Sequence, residues 1–179
     1  PISKGSLVYQ NPSLWWSALI KNLTFLKTKI ELNKIERLSI DGTSGTVLIT
    51  DHLGNPLDDA LMYNDASAVK ESKLVESISD NHPIVSTSTN ALVRALSLIN
   101  KLKKEKYRIL HQADWIACKL INDYTYSDEN NALKLGYDCV ERSWPKWFDQ
   151  LPIEINSLPN IKITGQSIGE LRNTELIDL

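Results

Sequence analysis

Ile40-Asp41-Gly42-Thr43-Ser44-Gly45-Thr46-Val47-Leu48-Ile49-Thr50-Asp51 sets two glycines, two hydroxyls and a carboxylate between apolar runs, directly ahead of His52-Leu53-Gly54-Asn55-Pro56-Leu57. Apolar and β-branched residues on either side predict strands over 35–41 and 46–51, joined by a tight polar loop, with a second turn at Gly54-Asn55-Pro56. Such a loop can offer backbone N–H groups and small hydroxyls to a polyhydroxylated or phosphorylated ligand, because little side-chain bulk blocks close approach. The same residues also satisfy a purely structural hairpin, with positive φ at Gly42 and Gly45 and hydroxyls capping local backbone groups. For the loop in isolation that second explanation is the commoner one, so the surrounding sequence has to decide.

Moving outward, Ala60-Leu61-Met62-Tyr63 reads as a third, short strand, and the glycine-containing connections favour antiparallel neighbours. Upstream, Ser13 is placed to cap a helix whose Leu14, Ala18, Leu19, Leu23, Leu26 and Ile30 recur at helical spacing and should lie on the sheet. Downstream, Ala66, Val69, Lys73, Leu74 and Ile78, with Ser67 as cap, predict a helix ending near Asn81-His82-Pro83. Ser86-Thr87-Ser88-Thr89 then caps a helix carrying Leu92, Leu96 and Ile99, and another runs from about Leu110 through Trp115 and Ile116 to Leu120. Shorter helical pieces are expected over 131–135 and 144–151, and Pro145, Pro152 and Pro159 break up the last third. Ile161-Lys162-Ile163-Thr164-Gly165 suggests a brief strand, and 171–179 shows no obvious closing element. The pattern is α/β with a helical second half.

A chain of 179 residues can bury the core of one domain and is also short enough to belong to something larger. Its net charge is −2 and its basic residues are scattered. The densest run, Lys101-Leu102-Lys103-Lys104-Glu105-Lys106, suits a solvated helix end better than a nucleic-acid patch. Cys118 and Cys139 make no disulfide scaffold, which points to a reducing cytoplasm. His52, His82 and His111 lack the spacing of a zinc site, so no structural metal is expected. No apolar run approaches the roughly 20 residues that span a bilayer, and the opening Pro1-Ile2-Ser3-Lys4 reads as a cut or processed end rather than a targeting peptide. There is no G-x-x-x-x-G-K-[ST] phosphate loop, Gly42-Thr43-Ser44-Gly45 is not the G-x-S-x-G elbow of an esterase, and no histidine is identified that would activate Ser44.

Four ordered stretches carry a family resemblance: Asp41-Gly42-Thr43-Ser44-Gly45-Thr46, Ala60-Leu61-Met62-Tyr63-Asn64-Asp65, His111-Gln112-Ala113-Asp114-Trp115, and the long run from Ser127 to Asp138. Over 15–169 the chain resembles the middle of the N-terminal domain of an FGGY-family carbohydrate kinase, most nearly the D-ribulose kinase (xylulokinase-like) group of cyanobacteria and plants. The resemblance implies a two-domain, ribonuclease H-like (actin-like) fold in which the N-terminal domain binds sugar, the C-terminal domain binds most of the ATP, and Mg²⁺ assists transfer in the cleft between them. The family's first phosphate loop lies upstream of the helix at Ser13 and its general-base aspartate lies downstream of Gly165-Gln166-Ser167-Ile168-Gly169. On this comparison residues 1–179 are part of the sugar-binding domain, with no catalytic base, cofactor-binding residue or metal ligand of their own. Asp41-Gly42-Thr43 then matches the family's second loop, which faces the sugar. The small hydroxyls here fit the ribulose-kinase group, whereas Asn90-Ala91-Leu92-Val93-Arg94 departs from a lysine- and tryptophan-containing signature of the xylulokinases.

Transfer of a phosphoryl group to a pentulose hydroxyl needs a proton-accepting carboxylate, magnesium, and donors that hold the nucleophilic oxygen in line. Only the last belongs to this chain. Ser44 is the leading sugar contact and Thr43 the next, since a hydroxyl both donates and accepts. Asp65 either accepts from a sugar hydroxyl or caps the helix beside it. Tyr63 either stacks on the sugar's apolar face or packs under the hairpin. Trp115 belongs to the core, and Asp128, Asn130 and Asn131 suit a helix cap near Ala132 better than catalysis. His111, one turn from Trp115, is not expected to act as a base. The competing reading is a complete, non-catalytic module that holds a sugar or a protein on the Thr43–Ser44 loop.

Overall fold

A computed structural model describes residues 1–79, 85, 87–102 and 106–177. Its centre is a five-stranded sheet built from β1 (Ile2–Lys4), β2 (Leu7–Gln10), β3 (Val47–Thr50), β4 (Ala60–Leu61) and β5 (Arg108–His111), in the spatial order β1-β2-β4-β3-β5. Every neighbouring pair is antiparallel, with Val47 opposite Leu61 on one side and His111 on the other. The antiparallel arrangement expected from the glycine turns is therefore present between β3 and β4.

β3 reads Val-Leu-Ile-Thr without alternation because both of its faces are covered. Val47 and Ile49 join Ile109 against α2 (Val69–Ile78) and α3 (Ala91–Lys101), where Val75, Leu92 and Leu96 are fully buried. Leu48 and Leu110 point the opposite way, into a cluster with Trp15 and Trp16 of α1 (Ser13–Lys27) and Trp115 and Cys118 of α4 (Gln112–Ile121). Two helical layers thus sandwich one sheet. Beyond it, β6 (Tyr126–Asp128) pairs in parallel with β7 (Asn160–Lys162), and α5 (Glu129–Lys134) begins where the Asp128 carboxylate accepts from Asn131 N–H at 2.9 Å.

Several expectations change. Residues 35–41 form no strand: apart from Ile35 closing a turn, no main-chain ladder reaches them, and Leu38 is 53% exposed. Strand-forming composition without a partner strand leaves the stretch irregular. Ser13 does not cap α1: the N-cap is Pro12, which offers no side-chain cap, and Asn11 Oδ1 just ahead of it accepts from Ser13 N–H at 2.9 Å. The two tryptophans with Leu19, Ile20 and Leu23 face the sheet, which turns Leu14 outward. Leu110 lies in β5 rather than at the head of a helix, because Ile109 and Leu110 fill opposite cores. The C-terminal stretch does contain a closing element, α6 (Thr174–Ile177), which buries Leu176 and ties Glu175 to Trp16 Nε1 at 2.5 Å. The helix end expected at Asn81-His82-Pro83, the capping position Ser86 and the centre of the basic run at 103–105 lie outside the described residues.

Candidate functional site

The polar loop enters β3 through a tight turn in which Thr46 N–H donates to Thr43 O at 3.1 Å and Gly45 takes φ +82°. A side chain at that position would be strained by the backbone and pressed against Arg94 Nη2, 3.1 Å from an added Cβ. The turn is fastened on both flanks. Thr43 N–H donates to Gln112 Oε1 at 2.9 Å, Gln112 N–H donates to Thr46 O at 3.1 Å, and Tyr63 N–H donates to Thr46 Oγ1 at 3.1 Å. The start of α4, the start of β3 and the end of β4 therefore meet at one end of the central strands.

A cavity of about 510 Å³ opens there. Ser44 and Gly45 form one wall, Tyr63 another, and Thr87, Thr89 and Asn90 ahead of α3 a third. Arg94 of α3 and Lys134 of α5 also line it, and among the described residues no carboxylate does. Hydroxyls, an amide, an aromatic ring that is 53% exposed and two cations thus face the same space. Such a lining suits a small, oxygen-rich ligand better than an apolar one.

Of the residues singled out from sequence, Ser44 and Tyr63 are brought together at this cavity. Thr43 is exposed at the neck of the turn and outside the cavity lining, with its N–H already committed to Gln112. Asp65 is fully buried. Its carboxylate accepts from Val8 N–H at 2.7 Å, Ser67 N–H at 3.1 Å and Ser67 Oγ–H at 2.9 Å, so it anchors the strand edge instead of reaching a ligand. The helix-capping role expected for it is not seen: α2 begins at Val69 with Ala68 at its N-cap and no side-chain cap, and Asp65 instead ties Ser67 to β2, far upstream.

Arg94 was missed, yet it carries a sequence signal: a charge inside Leu92-Val93-Arg94-Ala95-Leu96, whose residues are all buried. Nη2 donates to Gly45 O at 2.6 Å, and Nη1 donates to Tyr63 O at 3.0 Å, to Asp65 O at 3.1 Å and to Thr89 O. Burial pushes the guanidinium down to about 10, partly offset by the nearby Asp65 charge, so it stays a cation at neutral pH.

A second polar cluster centres on Asp114. Its carboxylate accepts from His111 N–H at 3.1 Å, Ser127 Oγ–H at 2.8 Å and Asn131 Nδ2–H at 2.8 Å, with His111 Nδ1 at 3.3 Å. These bonds join β5, α4, β6 and α5, and both His111 and Asp114 are buried, which makes the cluster a structural junction. It borders a broad groove of about 1050 Å³ between 35–40 and 162–171. Among the described residues no group of three or more His, Cys, Asp or Glu is placed to hold a metal ion, and no helix is long and apolar enough to cross a membrane.

No protein-family model matches the chain. A curated relative, the xylulose kinase of Staphylococcus xylosus, is 23% identical over 94% of this chain and 38% of its own length. Among solved structures, Plasmodium falciparum glycerol kinase with ADP superposes with TM-score 0.84 at 20% identity, covering 99% of this chain and 39% of that one. Ligand-bound xylulose kinase from Lactobacillus acidophilus gives 0.82 at 16% identity, over 99% and 38%. Xylulose kinase from Rhodospirillum rubrum gives 0.83 at 17% identity, over 100% and 40%. The chain accordingly spans about two fifths of the length of these kinases, and its fold is the actin-like α/β fold of the carbohydrate kinases.

Proposed function

We propose that this chain is the sugar-holding part of an ATP-dependent pentulose kinase, with D-ribulose as the acceptor. The observation that carries this reading is the convergence of Ser44 and Tyr63 on one polar cavity at the ends of the central strands. The similarity to xylulose and glycerol kinases supports the same reaction class. The small hydroxyl at Ser44 leaves room for a ketose and can donate to one of its hydroxyls while accepting from another. The exposed Tyr63 ring offers an apolar face for the sugar's C–H groups.

In the reaction, a pentulose hydroxyl oxygen bonds to the terminal phosphorus of ATP as the bond from that phosphorus to the bridging oxygen breaks and ADP leaves, and the hydroxyl proton passes to a carboxylate that the resemblance implies outside these residues. Mg·ATP supplies the phosphoryl group when bound; no residue described here is assigned to it. Positioning is this chain's share: holding the acceptor hydroxyl in line is worth several orders of magnitude in rate. Both cysteines are free, and we place the protein in the reducing cytoplasm.

Titration calorimetry of the chain with D-ribulose, D-xylulose, glycerol and ATP tests the proposal. Pentulose binding without nucleotide binding is the expected result. No sugar binding at all would refute it in favour of a non-catalytic module.

A further inference from the structure

Among the described residues the buried Arg94 guanidinium makes no ion pair within hydrogen-bonding distance, and such a group is expensive to keep because its charge is stripped of water. Arg94 is 1% exposed, it donates to four carbonyls, and its Nε has no hydrogen-bond partner among the described residues. The carbonyls belong to three stretches distant in sequence: Gly45 in the turn before β3, Tyr63 and Asp65 after β4, and Thr89 ahead of α3. Gly45, Tyr63 and Thr89 are themselves walls of the cavity. A planar fork fixes both the distance and the angle between the groups it bridges, which a single ammonium does not.

We propose that Arg94 is the positioning residue of this cavity: it sets the spacing between the Ser44 turn and the Tyr63 ring, and thereby the affinity and selectivity for the sugar. The inference rests on the reading of the cavity as a pentulose site. Arg94 acts through its neighbours, since both of its terminal nitrogens donate to main-chain oxygens. The close approach at Gly45 belongs to the same device, because a side chain there would push Nη2 away from its carbonyl.

The test compares the wild-type chain with Arg94→Lys, Arg94→Gln and, as a stability control, Val75→Ala, whose side chain is fully buried under α3 but does not line the cavity. Thermal midpoints, D-ribulose binding by calorimetry, and amide hydrogen exchange at 44–46 and 63–64 are measured for each. Arg94→Lys is expected to stay folded, to bind pentulose about tenfold more weakly or worse, and to exchange faster at both stretches, while Val75→Ala lowers the midpoint without changing affinity. Wild-type affinity in a folded Arg94 variant overturns the inference. So does an equal loss of affinity in Val75→Ala, and so does failure of every Arg94 variant to fold, since the residue would then be structural alone. If the wild-type chain binds no pentulose, the sugar reading falls, and exchange at 44–46 and 63–64 still decides whether Arg94 holds the walls.

Discussion

Trp115 Nε1 donates to the carbonyl of Gly54 at 2.8 Å, while the ring of Tyr124 lies where a side chain on Gly54 would have to go. An added Cβ would stand 2.1 Å from two Tyr124 ring atoms, at a backbone φ of +79°. Gly54→Ala combines a left-handed penalty of about 1–2 kcal/mol with overpacking of about 1–3 kcal/mol. A loss of about 2–5 kcal/mol in urea unfolding is expected, and a variant as stable as wild type would contradict the packing described.

Ser44→Ala separates ligand binding from stability. The side chain is exposed and lines the cavity, so removing one hydroxyl should leave the thermal midpoint almost unchanged. Pentulose affinity should fall about five- to tenfold, the usual worth of one hydrogen bond. Calorimetry alongside a melting curve reads both.

Asp65→Ala should do the reverse of a simple binding-site change. It strands the half-buried Val8 N–H and removes the charge that helps Arg94 remain ionised. The expected loss is about 3–5 kcal/mol in denaturant unfolding, with Asp65→Asn costing less because an amide oxygen can still accept. Equal stability of the alanine variant and wild type would overturn the anchoring role.

Burial pushes the Cys118 thiol up to about 12, with Asp114 and Asp123 adding to the rise. Below pH 9 both folded and unfolded states hold the proton, and the group adds no pH dependence. Above 9 the unfolded chain loses it first, so stability falls as pH rises toward 12, by up to about 1.4 kcal/mol per unit. Cys118→Ala should flatten that alkaline decline. At pH 8 in the native protein, iodoacetamide should label Cys139, which is only half-buried, well ahead of Cys118.

Strands β3 and β4 and several of the helices were legible because their signals are local, whereas β1, β2 and β5 were not read from sequence. The β3 run, the apolar spacing of α3 and the Asp128 cap each announce themselves within a few residues. Ser44 and Tyr63 were legible through an ordered set of short stretches. Arg94 was not, since nothing in Leu92-Val93-Arg94-Ala95-Leu96 says which carbonyls the guanidinium will meet 29 and 49 positions away. Asp65 was ambiguous for the same reason: its shortest bond reaches 57 residues back to Val8. The 35–41 stretch misled in the opposite direction, having the composition of a strand but no mate in the sheet.

Because β3 is covered on both faces, water cannot reach its amides until the two helical layers part. Hydrogen exchange along Val47–Thr50 should therefore track global unfolding and be the slowest in the molecule. The turn bearing Ser44 springs directly from that strand, so its mobility is that of a short hinge mounted on the stiffest beam of the protein.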